Sequence, residues 1–176
     1  SLCLIFTLAT DSEWAEEKTF PDAAGHWAEN YIVKLSEEDV IQGFPDGLIH
    51  PDDTVSRGEF ATMLVNLQHL SVVQQEVSAF SDTSGHWAEG AIEALVQKDI
   101  IRKADYSGKF WPDAPITRIE MTRWLVRLVG KGADAENLTE STGFQDDGAI
   151  ASKDKGDVIL ANRYEIIEGY PDHTAR

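Results

Sequence analysis

Two stretches of the chain repeat each other and decide the fold. Phe20-Pro21-Asp22, followed by Gly25-His26-Trp27-Ala28-Glu29, returns 60 residues later as Phe80-Ser81-Asp82, followed by Gly85-His86-Trp87-Ala88-Glu89. Further along each copy, Ser56-Arg57-Gly58-Glu59 returns as Thr117-Arg118-Ile119-Glu120. Self-similarity at a fixed period is the signature of a repeat architecture. The sequence therefore predicts an array of related units.

A third copy follows the first two. It begins at Phe144-Gln145-Asp146, and residues 166–172 match residues 40–46 of the first copy. The given sequence reaches Arg176 before a third Ser/Thr-Arg-x-Glu element. The predicted repeats are 20–67, 80–129 and an incomplete 144–176. Residues 68–79 and 130–143 are predicted linkers, the second the looser because it contains Gly-Lys-Gly-Ala-Asp.

Each copy is predicted to contain two helices. In the first helix Trp27, Tyr31 and Leu35 recur every four residues, which gives one apolar face at helical period. The second helix begins at the Ser/Thr-Arg-x-Glu element, which has the form of a capping box. No segment alternates like a β-strand, so the fold class is all-α. Trp27 and Trp87 are predicted core aromatics and Trp124 a packing residue.

The charge balance excludes several partners. Asp and Glu number 31 against 15 Lys and Arg, so the 176-residue chain has a formal net charge of −16. That charge repels phosphate backbones and anionic lipid. We predict no nucleic-acid partner and no membrane insertion of the mature protein.

The N-terminal residues 1–19 read as a clipped secretory signal and a polar tail. The apolar run 2–9 is too short to span a bilayer as a helix and has the length of a signal-peptide core. Thr7-Leu8-Ala9 offers a small-x-small cleavage pattern. The alternative is an apolar tail of a fragment. Cys3 is the single cysteine, so no internal disulfide is possible.

No catalytic or metal signature is present in the sequence. A nucleophile elbow, a phosphate-binding loop and a cysteine–histidine pair suited to catalysis are all missing. Each His-Trp-Ala-Glu segment offers only two metal ligands, and the aspartates of residues 46–53 lack the spacing of a calcium loop. We predict no metal, no cofactor and no enzyme activity in this segment. A catalytic domain outside it stays compatible with the sequence.

The arginine at the first position of each second helix is unusual. A cation at a helix N-terminus opposes the macrodipole at a cost of roughly 0.3–1 kcal/mol. Arg57 and Arg118 therefore each need a compensating anion. That anion is either a neighbouring acidic side chain or a ligand carboxylate, which the guanidinium fork would match. For Trp111, in the loop before Pro112, the sequence likewise leaves two roles open, which are packing and stacking against a sugar.

The combination of these elements resembles the S-layer homology repeat. The elements are Phe-x-Asp, His-Trp-Ala, Ile-x-Gly-Phe/Tyr-Pro-Asp and Pro-Asp-x-x-x-Ser/Thr-Arg-x-Glu, and they cover roughly residues 20–176. The resemblance implies three helix-loop-helix repeats in a pseudo-three-fold helical bundle, here with the third repeat truncated. It also implies a secreted, bacterial cell-surface protein that is attached non-covalently to a polysaccharide linked to peptidoglycan, typically a pyruvylated one.

The resemblance also assigns site residues in grooves between repeats. The arginine of the family's Thr-Arg-Ala-Glu motif maps to Arg57 and Arg118, which favours the ligand carboxylate as their partner. The glycine where the family's backbone approaches the sugar maps to Gly43 and Gly169. The acid of Phe-x-Asp maps to Asp22, Asp82 and Asp146.

The departures from the pattern limit the number of grooves. The second copy has Lys103 in place of Gly43, and the third has Lys153 at the tryptophan position. At most one or two grooves are therefore expected to bind. The predicted function is anchoring of a surface protein to the wall. The alternative is a structural module that packs against other domains or copies, with self-assembly through domains outside the segment.

Overall fold

Helices make up the architecture of the computed structural model, which describes residues 19–72 and 77–175. Two 3₁₀ turns lie at Pro21–Ala23 and Lys103–Asp105. No strand occurs in the described ranges, where Ser56 and Pro115 form an isolated bridge. The all-α prediction is confirmed. The helices are α1 Glu29–Glu37, α2 Arg57–Leu67, α3 Glu89–Gln97, α4 Arg118–Leu128, α5 Gly132–Glu136 and α6 Lys155–Arg163.

Capping boxes fix the start of α2 and α4. The backbone N–H of Glu59 donates to Ser56 Oγ at 3.2 Å, and the N–H of Ser56 donates to the Glu59 carboxylate at 2.7 Å. Thr117 and Glu120 make the same reciprocal pair at α4. Each box satisfies two backbone donors that a helix leaves without a partner at this end. Both predicted helix starts are confirmed.

The chain divides into two compact units, residues 1–51 and 52–176. The described part of the first unit contains α1, in which Ile32 and Ser36 are buried. The second unit contains α2 to α6. Within it α2 packs against α3, and α4 packs against α6. The second helix of one repeat therefore packs against the first helix of the next, which supports a third related repeat at α6.

Trp124 lies at the centre of the main core of the second unit. Its side chain has no solvent exposure. Its ring stacks between those of Phe60 and Phe110, each with a centroid 5.8 Å away. The packing role predicted for Trp124 is confirmed. Around it lie Ala61, Leu64, Val65, Phe80, Ala88, Ala91, Ile92, Leu95, Ile100 and Ile101.

Trp27 and Trp87 do not join the core, and their predicted packing role is wrong. Trp27 is 81% exposed and Trp87 62% exposed. Both precede the first residue of their helices, which are Glu29 and Glu89. The face that Trp27, Tyr31 and Leu35 define is not the buried one, because Tyr31 lies inside α1 and is also 68% exposed, whereas Ile32 and Ser36 are buried. Ala88 and Ile92 carry the buried face instead, with 1% and 0% exposure.

The segment predicted to be the looser linker is ordered by a short helix. α5 packs against both α4 and α6. Ala135 is buried and contributes to a small core with Val126, Leu160 and Ala161. The Gly-Lys-Gly-Ala-Asp composition suggested flexibility, but burial of Gly132 and Ala135 outweighs it.

A cluster of five charged side chains lies where α4 meets α6. Arg123 contacts Asp154, and its Nε lies 3.8 Å from Asp157 Oδ2. Arg127 Nη1 lies 2.5 Å from Asp105 Oδ2. Three carboxylates thus face two guanidinium groups, and all five side chains are at most 16% exposed. Burial raises the pKa of Asp157 to about 6, despite the nearby arginines.

The stability of the protein is expected to fall as the pH rises from 5 to 7.5. The folded chain holds the Asp157 proton to a higher pH than the unfolded chain, so this contribution is full below the ordinary pKa of 3.8 and is lost as the pH passes about 6. Asp157→Asn should remove this dependence and raise the free energy of unfolding at pH 8 by roughly 1–3 kcal/mol. Denaturant titrations at pH 5, 6.5 and 8 measure both effects, and a wild-type stability that rises over this range would contradict the expectation.

Some of the sequence predictions concern features that the described residues do not include or test. The apolar run 2–9, including Cys3 and the signal-peptide prediction, lies outside the described residues. Within the described residues, no helix has the length and apolar character needed to cross a bilayer. The repeat boundaries and the pseudo-three-fold arrangement stay predictions.

Candidate binding site

The aspartate of Phe-x-Asp closes the loop between the two helices of a repeat. Asp82 accepts the N–H groups of Phe110 at 2.9 Å and Trp111 at 2.8 Å. Burial tends to raise the pKa of Asp82, but the backbone donors outweigh it and the pKa lies below its ordinary value. The carboxylate is thus ionised and holds the end of the loop in place.

The first and third copies use the same clamp. Asp22 accepts from the N–H of His50 at 2.7 Å and from that of Ile49 at 3.1 Å. Asp146 accepts from Ala175 at 2.8 Å. The structure gives all three aspartates a structural role. A sugar contact by Asp22 or Asp82 stays a prediction.

The loop glycines are explained by the phenylalanine of the same motif. A Cβ on Gly43 would overlap the ring of Phe20, and one on Gly169 would lie 2.5 Å from the ring of Phe144. Gly43 also has a φ of +73°, which favours glycine. The close approach that these glycines permit is to an aromatic ring of their own repeat. Contact between their backbone and a sugar stays a prediction.

Arg57 is paired with a protein carboxylate. Its Nε donates to Glu120 Oε1 at 2.8 Å and its Nη2 to Glu120 Oε2 at 3.1 Å, a bidentate contact between side chains 16% and 12% exposed. Burial raises the pKa of Glu120, but hydrogen bonds from Arg57 and Thr117 more than offset it and lower the pKa. Of the two alternatives open from the sequence, the acidic side chain is the one found at Arg57.

The first backbone N–H groups of α2 donate hydrogen bonds to the loop that precedes α4. The N–H of Arg57 donates to Ala114 O at 3.0 Å, and the N–H of Gly58 donates to Pro112 O at 2.8 Å. The N-terminus of α2 thus binds carbonyls of its own chain. A ligand contact by Arg57, which the resemblance implies, stays a prediction, and the Nε–Nη2 edge of its guanidinium is already taken by Glu120.

Arg118 has different surroundings. Its Nη2 donates to Glu168 O at 2.7 Å, and its guanidinium carbon lies 4.9 Å from the centroid of the Tyr170 ring. Its Nε is buried and has no hydrogen-bond partner within the described residues. The structure therefore brings together two predicted site residues, Arg118 and the loop of Gly169. Tyr170, which the sequence analysis did not single out, joins them.

Trp111 presents its side chain to solvent. It is 58% exposed, has a φ of +56°, and lies with Lys109 Nζ 4.9 Å from its ring centroid. Its loop is tied to the start of α3, because His86 Nε2 lies 3.0 Å from Asp113 Oδ1. Exposed Trp87 follows His86 directly. Sequence analysis missed Lys109, since its relation to Trp111 is a loop geometry that no periodicity reveals.

These features define a class of protein. The described residues contain a helical repeat with exposed aromatic and cationic side chains at its loops, and no group of three side chains suited to hold a metal ion. Such a surface fits a binding module. The S-layer homology domain matches residues 19–61 and 79–122. The chain belongs to the S-layer homology family through these two domains, and with it to the secreted proteins of the bacterial cell surface.

Relatives carry the same segment within longer proteins. The chain is 32% identical to an amylopullulanase of Thermoanaerobacterium thermosulfurigenes, over 89% of the chain and 8% of that protein. It is 32% identical to an S-layer protein of Bacillus licheniformis, over 89% of the chain and 15% of the relative. It is 32% identical to a cellulosome-anchoring protein of Acetivibrio thermocellus, over 85% of the chain and 34% of the relative. The chain thus spans at most about a third of these relatives.

Proposed function

We propose that this segment attaches a secreted protein non-covalently to the bacterial cell wall by binding a wall polysaccharide. Its two S-layer homology domains are the observation that carries the proposal. Relatives named as an S-layer protein and as a cellulosome-anchoring protein support it. The segment itself is an attachment module and not a catalytic one. An enzyme elsewhere in the parent protein is compatible with this role, since one relative is an amylopullulanase.

The proposed ligand is an acidic polysaccharide linked to peptidoglycan, such as a pyruvylated one. The Arg57–Glu120 pair is an example, in this chain, of how an arginine at this helix position holds a carboxylate through two parallel hydrogen bonds. We propose that Arg118 takes the carboxylate of the ligand with the Nη N–H groups that its bond to Glu168 O leaves open. Gly169 and Tyr170 provide the adjacent wall of the site. The chain is strongly acidic, so a local cation is needed to hold an acidic polymer.

The proposal is tested by pelleting the protein with purified wall sacculi. We expect it to sediment with sacculi that retain their secondary polysaccharide and to stay in solution when that polymer has been removed by acid. Equal sedimentation with stripped peptidoglycan would replace the polysaccharide with peptidoglycan as the ligand. Absence of sedimentation by a protein with an intact helical circular-dichroism spectrum would favour the alternative role in packing or assembly.

Arg118→Ala is expected to weaken binding to polymer-bearing sacculi about tenfold or more. A hydrogen bond to a charged group is worth about 1.5–3 kcal/mol, and 1.4 kcal/mol corresponds to tenfold in affinity. Arg118→Lys should also bind more weakly, because lysine cannot form the bidentate fork. Affinity from sedimentation isotherms measures both effects.

Arg102→Ala is the matched control. It removes the same charge, but Arg102 bridges Asp99 and Glu136 in another part of the second unit. It should bind like wild type. If Arg118→Ala lowers the melting temperature and leaves affinity unchanged, Arg118 has a structural role and is removed from the site.

A further inference from the structure

The backbone of Trp111 is fixed by hydrogen bonds that do not involve its side chain. Its N–H donates to Asp82 at 2.8 Å, and its carbonyl accepts from the N–H of Ala114 at 3.0 Å. The resulting φ of +56° lies in the left-handed region, which is unfavourable for any residue with a Cβ. A glycine would adopt this conformation without strain. The loop therefore does not need tryptophan for its shape.

The first copy has a histidine at the corresponding place. His50 has a φ of +50°, and its ring is used within its own loop. Its Nε2 lies 2.8 Å from Asp46 Oδ2, and its ring centroid lies 5.2 Å from the ring centroid of Phe44. Trp111 has no such aromatic contact within the described residues. A large apolar side chain is thus held in a strained conformation and kept 58% exposed.

Strain that packing does not offset is a reason to look for a ligand. The indole offers a flat apolar surface, and Lys109 places an ammonium group over one face of it, 4.9 Å from the ring centroid. This arrangement suits a sugar ring that bears a carboxylate, because the C–H face of the sugar stacks on the other face of the indole while the acid pairs with the ammonium at the ring edge. A second exposed indole, Trp87, follows the histidine that is bonded to this loop.

We propose that Trp111 and Lys109 form a stacking platform for one acidic sugar residue of the wall polysaccharide. This inference rests on the proposed function and adds a contact to it. Trp111 determines which sugar ring is accepted, and Lys109 determines the preference for an acidic one. The platform lies in the loop that follows Lys103, where the second copy departs from the first. It is therefore particular to the second copy.

The inference predicts that a substitution of Trp111 changes binding and stability in opposite directions. Trp111→Gly should reduce binding to polymer-bearing sacculi about tenfold and raise the melting temperature, because the strained side chain is removed. A residue with only a packing role would show the opposite result, which is lower stability with unchanged binding. Trp111→His should keep the wild-type fold, since His50 occupies the corresponding position, and should also bind more weakly.

Tyr164→Ala is the matched control for loss of an exposed aromatic side chain next to a lysine. Tyr164 is 49% exposed, and Lys131 Nζ lies 5.7 Å from its ring centroid. Tyr164 lies at the C-terminal end of α6, far from the Trp111 loop in the sequence. We expect the Tyr164→Ala variant to bind as tightly as wild type.

The role of Lys109 is tested with polysaccharide released from the wall, before and after chemical reduction of its carboxylates to alcohols. Lys109→Ala should bind the native polymer several-fold more weakly than wild type and the reduced polymer equally well. Trp111→Gly should bind both polymers more weakly. Failure of wild type to bind sacculi overturns the proposed function. If Trp111→Gly and Trp111→His both bind as tightly as wild type, this inference is overturned and the proposed function stands.

Discussion

Glu120→Ala is expected to lower the free energy of unfolding by about 3–5 kcal/mol, because it leaves the guanidinium of Arg57, only 16% exposed, without its carboxylate partner. Glu120 also accepts from the N–H of Thr117 at 3.1 Å, so the same substitution removes the capping box of α4. Chemical denaturation followed by circular dichroism measures the loss. Most of it should come from the ion pair, since a cap is worth about 0.5–2 kcal/mol.

Glu59→Ala separates the two contributions. Glu59 makes the equivalent capping bond to Ser56 at the start of α2, and no arginine pairs with it within the described residues. Its loss should be about 0.5–2 kcal/mol. A loss at Glu120 no larger than the loss at Glu59 would show that the Arg57 pair contributes nothing to stability. Arg57→Ala should destabilise the fold as Glu120→Ala does.

Gly156→Ala is expected to destabilise the protein, although alanine is the better helix former. In an exposed helix the change would gain about 1 kcal/mol. Gly156 lies in the first turn of α6, and a Cβ there would overlap the carbonyl of Ala135 in α5. Because the obstacle is backbone, α5 and α6 must move apart. Overpacking of this kind costs about 1–3 kcal/mol and occasionally more.

Gly148→Ala is the control, because a Cβ at that position meets no atom within 4 Å. Its melting temperature should stay close to that of wild type. Thermal unfolding of both variants gives the comparison. A Gly156→Ala variant as stable as wild type would mean that α5 is not held against α6.

The fold class and the helix starts could be predicted from the sequence because they depend on neighbours along the chain. Ser56 reaches Glu59, and Thr117 reaches Glu120, across a single turn. The repeats made these signals stronger by presenting them twice. Helical period correctly predicted a helix at α1, but it put Trp27 and Tyr31 on the apolar face, and both are exposed, whereas Ile32 is buried.

The candidate site could be predicted only in part. The sequence singled out Arg57 and Arg118 as the same residue in two repeats, and it left open whether a protein or a ligand carboxylate compensates each. Their surroundings differ because each faces a loop from further along the chain. Arg57 meets Glu120, whereas Arg118 meets the carbonyl of Glu168 and the ring of Tyr170.

By itself the sequence determined the repeats, the all-α class, the capping boxes and the family. Only the tertiary structure decided that Asp82 holds Phe110 and Trp111, and that Phe20 fills the space beside Gly43. These contacts join residues about 20 to 30 positions apart. No local pattern encodes such pairings, because they depend on which loops the packing of α2 on α3 and of α4 on α6 brings together.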